Sequence, residues 1–262
     1  MPEPRITFED GDLYERTMGA WSQLAGEVFL EWLAPAPGLR WLDVGCGNGA
    51  FTETLMRHCA PAEVQGIDPS EGQLTYACSR PGTRGAVFQR GDAMALPFEA
   101  DRFDAAVMAL VVFFVPEPSA GVAEMVRVVR PGGLVAAYAW DMLGDGFPFE
   151  PIYQVLRAQG FTPPLPPRAD VSRPEPLRAL WKNAGLMAVE TREIIVQRRF
   201  ESFDAFWQAT RVAATVRTIM ETMTAEQATQ LEAGVRARLP ADGAGRVVHV
   251  VRAYAIKGRV TA

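Results

Sequence analysis

The feature that most constrains this chain is Asp43-Val44-Gly45-Cys46-Gly47-Asn48-Gly49, a glycine-rich loop set directly between a strand-like run, Leu39 to Val44, and a helix-like one, Phe51 to Cys59. Glycine lets the backbone turn sharply and approach a ligand closely, and the helix that follows offers free N–H groups at its positive end. The same strand-then-helix alternation continues downstream. Val64 to Ile67, Ala86 to Gln89, Phe103 to Val112 and Leu134 to Ala139 read as strands, while Glu71 to Ser79 and Ser119 to Val129 read as helices. Pro61, Pro81-Gly82 and Pro131-Gly132-Gly133 punctuate them. That pattern predicts βαβ units and a mostly parallel sheet with its ligand site at the carboxyl ends of the strands.

The loop admits two cofactors. Gly45, Gly47 and Ala50 satisfy the G-x-G-x-x-G/A dinucleotide fingerprint, with Asp68 downstream to hold a ribose, which keeps a nicotinamide-dependent oxidoreductase open. No Tyr-x-x-x-Lys pair accompanies it. Asp43 puts a carboxylate just ahead of the glycines, where it repels a phosphate and favours a ligand carrying an ammonium and a sulfonium; it serves equally to brace the loop N–H groups.

Further motifs follow in order: Gly66-Ile67-Asp68-Pro69-Ser70, Gly91-Asp92-Ala93-Met94-Ala95-Leu96-Pro97-Phe98, Phe103 to Val107 running on to Val115-Pro116, and Arg130-Pro131-Gly132-Gly133-Leu134. Together with Trp41 to Gly49 this series resembles class I S-adenosylmethionine-dependent methyltransferases, in particular the small-molecule enzymes that include those of ubiquinone and menaquinone biosynthesis. The resemblance covers residues 12 to 140. It implies a Rossmann-like mixed seven-stranded sheet, mostly parallel with the last strand antiparallel, helices on both faces and a helical cap. It also implies S-adenosyl-L-methionine as cofactor and S-adenosyl-L-homocysteine as product. On this reading Asp43, Gly45, Cys46 and Gly47 form the loop at the cofactor. Asp68, with Pro69, grips the ribose hydroxyls; Gly91, Asp92 and Ala93 hold the adenine; Ala109 and Leu110 border the cofactor after the fourth strand. Tyr14 and Trp21 resemble part of an N-terminal arm that folds over the methionine end. The chain departs from many relatives after the fourth strand, where Ala109-Leu110-Val111-Val112-Phe113-Phe114 is apolar rather than polar or histidine-containing. An apolar lining implies a small apolar or aromatic acceptor. A protein that binds the cofactor without transferring a methyl group remains a further reading.

With 26 Lys and Arg against 31 Asp and Glu, a net charge of −5 and no basic run, nucleic acid is a poor partner. Three cysteines, Cys46, Cys59 and Cys78, without a CxxC pair suit neither a disulfide framework nor a zinc site, so no metal is expected and a reducing cytoplasm is. The acidic start, Met1 to Asp12, carries no secretory pattern, and the longest apolar run, Ala105 to Val115, is too short to span a bilayer. A monomer or a homodimer fits equally.

The expected layout is one domain over 1–262: a helical arm at 1–37, a cofactor core at 38–140, a Pro- and Gly-rich lid loop at 141–172, and a C-terminal half at 173–262 with cap helices at about 201–239. Within it, Pro174 to Asn183, Glu201 to Ile219 and Thr224 to Leu239 read as helices, with a short one near Pro151 to Ala158. Met187 to Val196 and Arg246 to Ile256 read as strands.

Methyl transfer from a sulfonium needs mainly near-attack geometry, so no catalytic motif is required and none is assigned. His58, in a last helical turn, complements the helix dipole, and His249, among valines, reads as a satisfied core histidine. Asp141, after Trp140 at a strand end, is the better placed base candidate, and equally a loop residue or a cap. Trp140, Phe147, Phe149, Tyr153, Phe206 and Trp207 are candidates for either pocket or core; Phe113 and Phe114 are evenly divided between the two.

Overall fold

The protein is described by a computed structural model over residues 15–261, so Tyr14 lies outside the described residues. Its strands are β1 (Arg40–Val44), β2 (Glu63–Asp68), β3 (Val87–Arg90), β4 (Phe103–Ala109), β5 (Val129–Trp140), β6 (Met187–Phe200) and β7 (Val247–Arg259). They form one sheet in the order β3-β2-β1-β4-β5-β7-β6. Strands β1 to β5 pair in parallel, and β7 runs antiparallel to both β5 and β6. Nine helices flank the sheet among the described residues: α1 (Ala20–Leu33), α2 (Ala50–Cys59), α3 (Glu71–Ser79), α4 (Pro118–Val128), α5 (Glu150–Ala158), α6 (Pro174–Asn183), α7 (Phe203–Arg211), α8 (Ala214–Met220) and α9 (Ala225–Arg238). This is the expected Rossmann-like mixed sheet.

Burial explains why the first strands read as unbroken apolar runs. Trp41, Leu42 and Val44 in β1 and Phe103, Ala105, Ala106, Val107 and Met108 in β4 are buried, as central parallel strands covered on both faces must be. In β7 the pattern alternates instead: Val247, His249 and Val251 point inward while Val248 and Val250 are exposed. Helix α1 carries Trp21, Ala25, Phe29 and Leu33 at four-residue spacing on its buried stripe. It stops at Ala34, which turns left-handed and sends its N–H to the Leu30 carbonyl at 3.0 Å.

Because β2 and β4 lie on opposite sides of β1, the chain leaves β1 one way and returns on the other, and a crevice opens at the carboxyl ends of β1 and β4. Two predicted elements are shortened or broken. Strand β4 ends at Ala109 rather than Val112, because Leu110 takes a positive φ of 62° that a strand cannot hold. The single helix expected over Glu201 to Ile219 is two, α7 and α8, separated where Ala213 turns extended. Four strands run longer than expected: β2 gains Glu63 and Asp68, β5 begins at Val129, β6 reaches Phe200 and β7 reaches Arg259. Of the segment 141–172, Phe149, Ile152, Tyr153 and Leu156 are buried, so α5 belongs to the core.

Candidate functional site

A cleft of about 1790 Å³ lies at this crevice. The glycine loop contributes Asp43, Gly45, Cys46, Gly47 and Asn48; the end of β2 contributes Ile67, Asp68 and Pro69. The turn after β3 adds Gly91, Asp92 and Ala93, and the end of β4 adds Ala109 and Leu110. Eleven of the thirteen residues singled out in the sequence therefore meet around one space. Val111, Phe114, Val115, Pro116, Leu165 and Pro167 add an apolar lining, in which Val111 packs against the glycine loop at Gly45.

The loop conformation is built from backbone. The N–H groups of Gly45 and Cys46 both donate to the Ile67 carbonyl, at 2.8 and 2.9 Å, which fastens the loop to the end of β2. Gly45 and Gly47 sit at φ of 74° and 51°. A side chain on Gly45 would also bring its Cβ within 2.5 Å of a Val111 methyl, so both conformation and space demand glycine.

Asp68 joins the loop to the cleft. Its Oδ2 accepts the Gly47 N–H at 3.0 Å and its Oδ1 accepts the Ser70 N–H at 2.8 Å. Burial pushes its pKa upward, and these two N–H groups counter part of that rise. A carboxylate has about four lone-pair positions, so two remain for the vicinal hydroxyls of a ribose. Asp92, exposed at the rim, accepts the Met94 N–H at 2.9 Å through Oδ1.

Asp43 is fully buried. Its Oδ2 accepts the Thr52 hydroxyl at 2.6 Å, which ties β1 to the first turn of α2. The bracing reading of its position is met only in part: it braces a neighbour, but through a side-chain hydroxyl rather than through the loop N–H groups.

Several expectations are corrected. Trp21 does not border the cleft: it is wholly buried, edge-on to His249 with ring centroids 5.4 Å apart and capped by the Arg198 guanidinium at 5.2 Å. Its neighbour Ser22 faces the cleft instead, since adjacent helical residues point about 100° apart. Asp141 is bound by Arg252 at 2.8 Å and accepts the Gly144 N–H at 3.0 Å, away from the cleft, which removes it as a base. Trp140, Phe147, Phe149, Tyr153, Phe206 and Trp207 pack in or against the core, with the Tyr153 hydroxyl on Thr215 at 3.2 Å. Phe113 is core while Phe114 borders the cleft. His249 is the satisfied core histidine expected, its Nε2 3.0 Å from the Pro148 carbonyl and its pKa lowered by burial.

Other participants escaped the sequence reading. Tyr138 of β5 reaches the cleft, as do Ser70 and Gln73 at the start of α3. Arg80, almost fully buried, pairs with Glu53 at 2.6 Å and with Glu15, and its Nε donates to the Asn48 carbonyl at 3.2 Å. Asn48 in turn donates to Glu15 at 3.1 Å. This cluster locks the outer side of the glycine loop to the turn that precedes α1.

Comparison with known proteins agrees with this geometry. Residues 42–137 match the family model described as a methyltransferase domain. A demethylmenaquinone methyltransferase of Staphylococcus aureus is 35% identical over 126 residues, 47% of this chain and 50% of that protein. An uncharacterized protein of Mycobacterium tuberculosis is 31% identical over 156 residues, 60% of this chain and 53% of that one. The chain thus spans about half the length of the curated relatives it matches. Among solved structures, a phosphoethanolamine N-methyltransferase 2 of Haemonchus contortus with bound S-adenosyl-L-methionine superposes with a TM-score of 0.57 at 16% identity, covering 100% of this chain and 62% of that one. The [4+2]-cyclase SpnF superposes with a TM-score of 0.57 at 22% identity, covering 92% and 82%. These structural likenesses establish the fold, and the cyclase shows that the fold alone does not dictate the reaction. No described helix is long and apolar enough to cross a membrane.

Proposed function

We propose that this chain, whose residues 42–137 match the methyltransferase-domain family model, is a class I S-adenosylmethionine-dependent methyltransferase that transfers the cofactor's methyl group to a small apolar or aromatic acceptor. The observation that carries the reading is the two-part lining of the cleft: acids with a fastened glycine loop, and an uncharged apolar set drawn chiefly from the segment after β4. Asp68 fits the ribose and Asp92 the adenine amino group. Asp43 offers negative charge where the methionine portion would lie, a feature that suits a cationic ligand and opposes a pyrophosphate. Ala109 and Leu110 lead from β4 into the apolar segment, and on this reading the methyl group faces Val111, Phe114 and Val115.

In-line displacement at a sulfonium needs the acceptor held on the methyl axis with water excluded, and an apolar wall serves both needs. The relatives named for demethylmenaquinone methylation support a flat, largely apolar acceptor of that general kind.

Two measurements test this. Calorimetric titration is expected to give saturable binding of S-adenosylmethionine and S-adenosylhomocysteine and none of oxidised nicotinamide dinucleotide; binding of the dinucleotide alone would reverse the cofactor assignment. Transfer of labelled methyl groups to a panel of hydroxyarenes, quinols and polar amines is expected to favour the first two classes. Selective labelling of the amines would overturn the acceptor reading.

A further inference from the structure

Asp43 holds an oxygen that no described residue of the protein serves. The carboxyl is fully buried, borders the cleft, and takes the Thr52 hydroxyl on Oδ2, while Oδ1 is buried without a hydrogen-bond partner. An interior carboxylate left with an unpaired oxygen and no cation is costly, and such a group ordinarily neutralises instead. Among the described residues, the elements around it supply no cation. Strand β2 presents Asp68, whose negative charge opposes a second one; the glycine loop presents Cys46, whose thiol burial pushes well up; helix α2 presents only Thr52. Tyr138 of β5, Asp92 after β3, and Arg90 with Glu71 complete the titratable groups of the cleft lining. Of the cations, Arg90 pairs with Glu71 at 3.0 Å, and Arg80 is held by Glu15 and Glu53.

We propose that Asp43 is a proton-linked cofactor contact: it stands as a neutral carboxylic acid in the empty cleft and ionises when the cationic methionine head of the ligand arrives beside Oδ1. The inference rests on the assignment of the cleft to S-adenosylmethionine. The O–H bond of the acid breaks, the proton passes to solvent, and the carboxylate formed is balanced by the ligand's ammonium or sulfonium. Burial raises the Asp43 pKa to about 7, with Thr52 pulling it down and Asp68 pushing it up, so the switch falls in the physiological range. The sign follows: below pH 7 the ligand must displace a proton, so affinity falls by up to about tenfold per pH unit, and above it the dependence flattens.

Calorimetry of the intact protein with S-adenosylmethionine at pH 6, in two buffers of different ionisation enthalpy, counts the proton. Release of about one proton per ligand is expected, fading by about pH 8.5, while 5′-methylthioadenosine, which carries neither cation, is expected to release none. S-adenosylhomocysteine keeps the ammonium only: equal release assigns the ammonium, and absence of release assigns the sulfonium. Asp43→Asn should show no proton release, with affinity near the unsubstituted protein's at pH 5.5 and weaker than it at pH 8. Should that variant not fold, carbon-13 NMR of the aspartate carboxyls supplies the test, through a titration near pH 7 that disappears on ligand binding. Saturable binding of S-adenosylmethionine with no proton released at pH 6, or equal release by methylthioadenosine, overturns the proposal while leaving the cofactor assignment intact. Failure to bind S-adenosylmethionine at any pH removes both.

Discussion

The two ends of the cleft are held by different physics. At the polar end every fixed feature is a directed bond: Ile67 takes two loop N–H groups, Asp68 takes two more, and Arg80 clamps the far side. In the apolar lining the chain between β4 and α4 is tied through its backbone, by the Leu110 N–H on the Tyr138 carbonyl at 2.9 Å, the Phe114 N–H on the Val111 carbonyl at 2.7 Å and the Arg168 N–H on the Phe113 carbonyl at 3.1 Å, while the side chains of Val111, Phe114 and Val115 that line the cleft are apolar. Hydrogen bonds are angular and tolerate little displacement, whereas apolar contact is roughly proportional to area and tolerates repacking. One end is therefore suited to a single invariant ligand, and the other to a ligand recognised by shape. Substitutions should separate the two ends by what they change.

The largest effect is expected at Gly45. Alanine there must adopt a φ of 74° and place its Cβ 2.5 Å from Val111, so the loop has to leave the Ile67 carbonyl. Loss of two loop hydrogen bonds and misdirection of the Asp68 contact should weaken S-adenosylmethionine binding by at least about 100-fold, measured by calorimetry, with a stability loss of about 2 kcal/mol. Binding within about threefold of normal would show that the loop is not held as described. Arg80→Ala should come next. It strands Glu53 and Glu15 and removes the donor to Asn48. Since both carboxylates are partly exposed, the cost is put at about 2 kcal/mol in denaturant unfolding rather than the larger figure for a sealed pair. Ligand affinity should fall less than for Gly45→Ala, because the N–H groups at Ile67 remain.

The polar end was legible in the sequence because each of its residues sits at a fixed offset from a strand end. Asp68 closes β2, Gly91 and Asp92 follow β3, and Gly45 to Gly47 follow β1, so strand registry alone brings them together. What was missed depends on long-range approach. Arg80 meets partners 27, 32 and 65 positions away, and Asp141 meets Arg252 across 111, distances over which pattern carries no information. Trp21 was misplaced by one helical step: the composition of α1 marks a buried stripe, but not which residue beside it turns to the cleft. In the C-terminal half the periods of β6, β7 and α9 could be read, and the family resemblance implied an antiparallel last strand, yet the residue pattern alone carries no order, since insertion of β7 between β5 and β6 is a tertiary choice.

The sharpest comparison within the apolar end is between two adjacent phenylalanines. Phe113 and Phe114 touch each other, ring centroids 4.7 Å apart, but Phe113 is 2% exposed in the core while Phe114 borders the cleft. Phe113→Ala leaves a cavity and should cost about 3 kcal/mol of stability with little change in acceptor preference at a temperature where the variant is folded. Phe114→Ala should do the converse. It removes cleft-facing area, so the acceptor KM is expected to rise roughly tenfold, about 1.4 kcal/mol, with unfolding midpoint and S-adenosylmethionine affinity nearly unchanged. A ligand end defined by area alone should also accept Phe114→Leu with most of its affinity restored, because leucine replaces much of the lost surface. If Phe114→Ala instead weakened S-adenosylmethionine as much as the acceptor, the wall would have to be counted as part of the cofactor site, and the division of the cleft into two physical regimes would fail at the residue meant to mark its boundary.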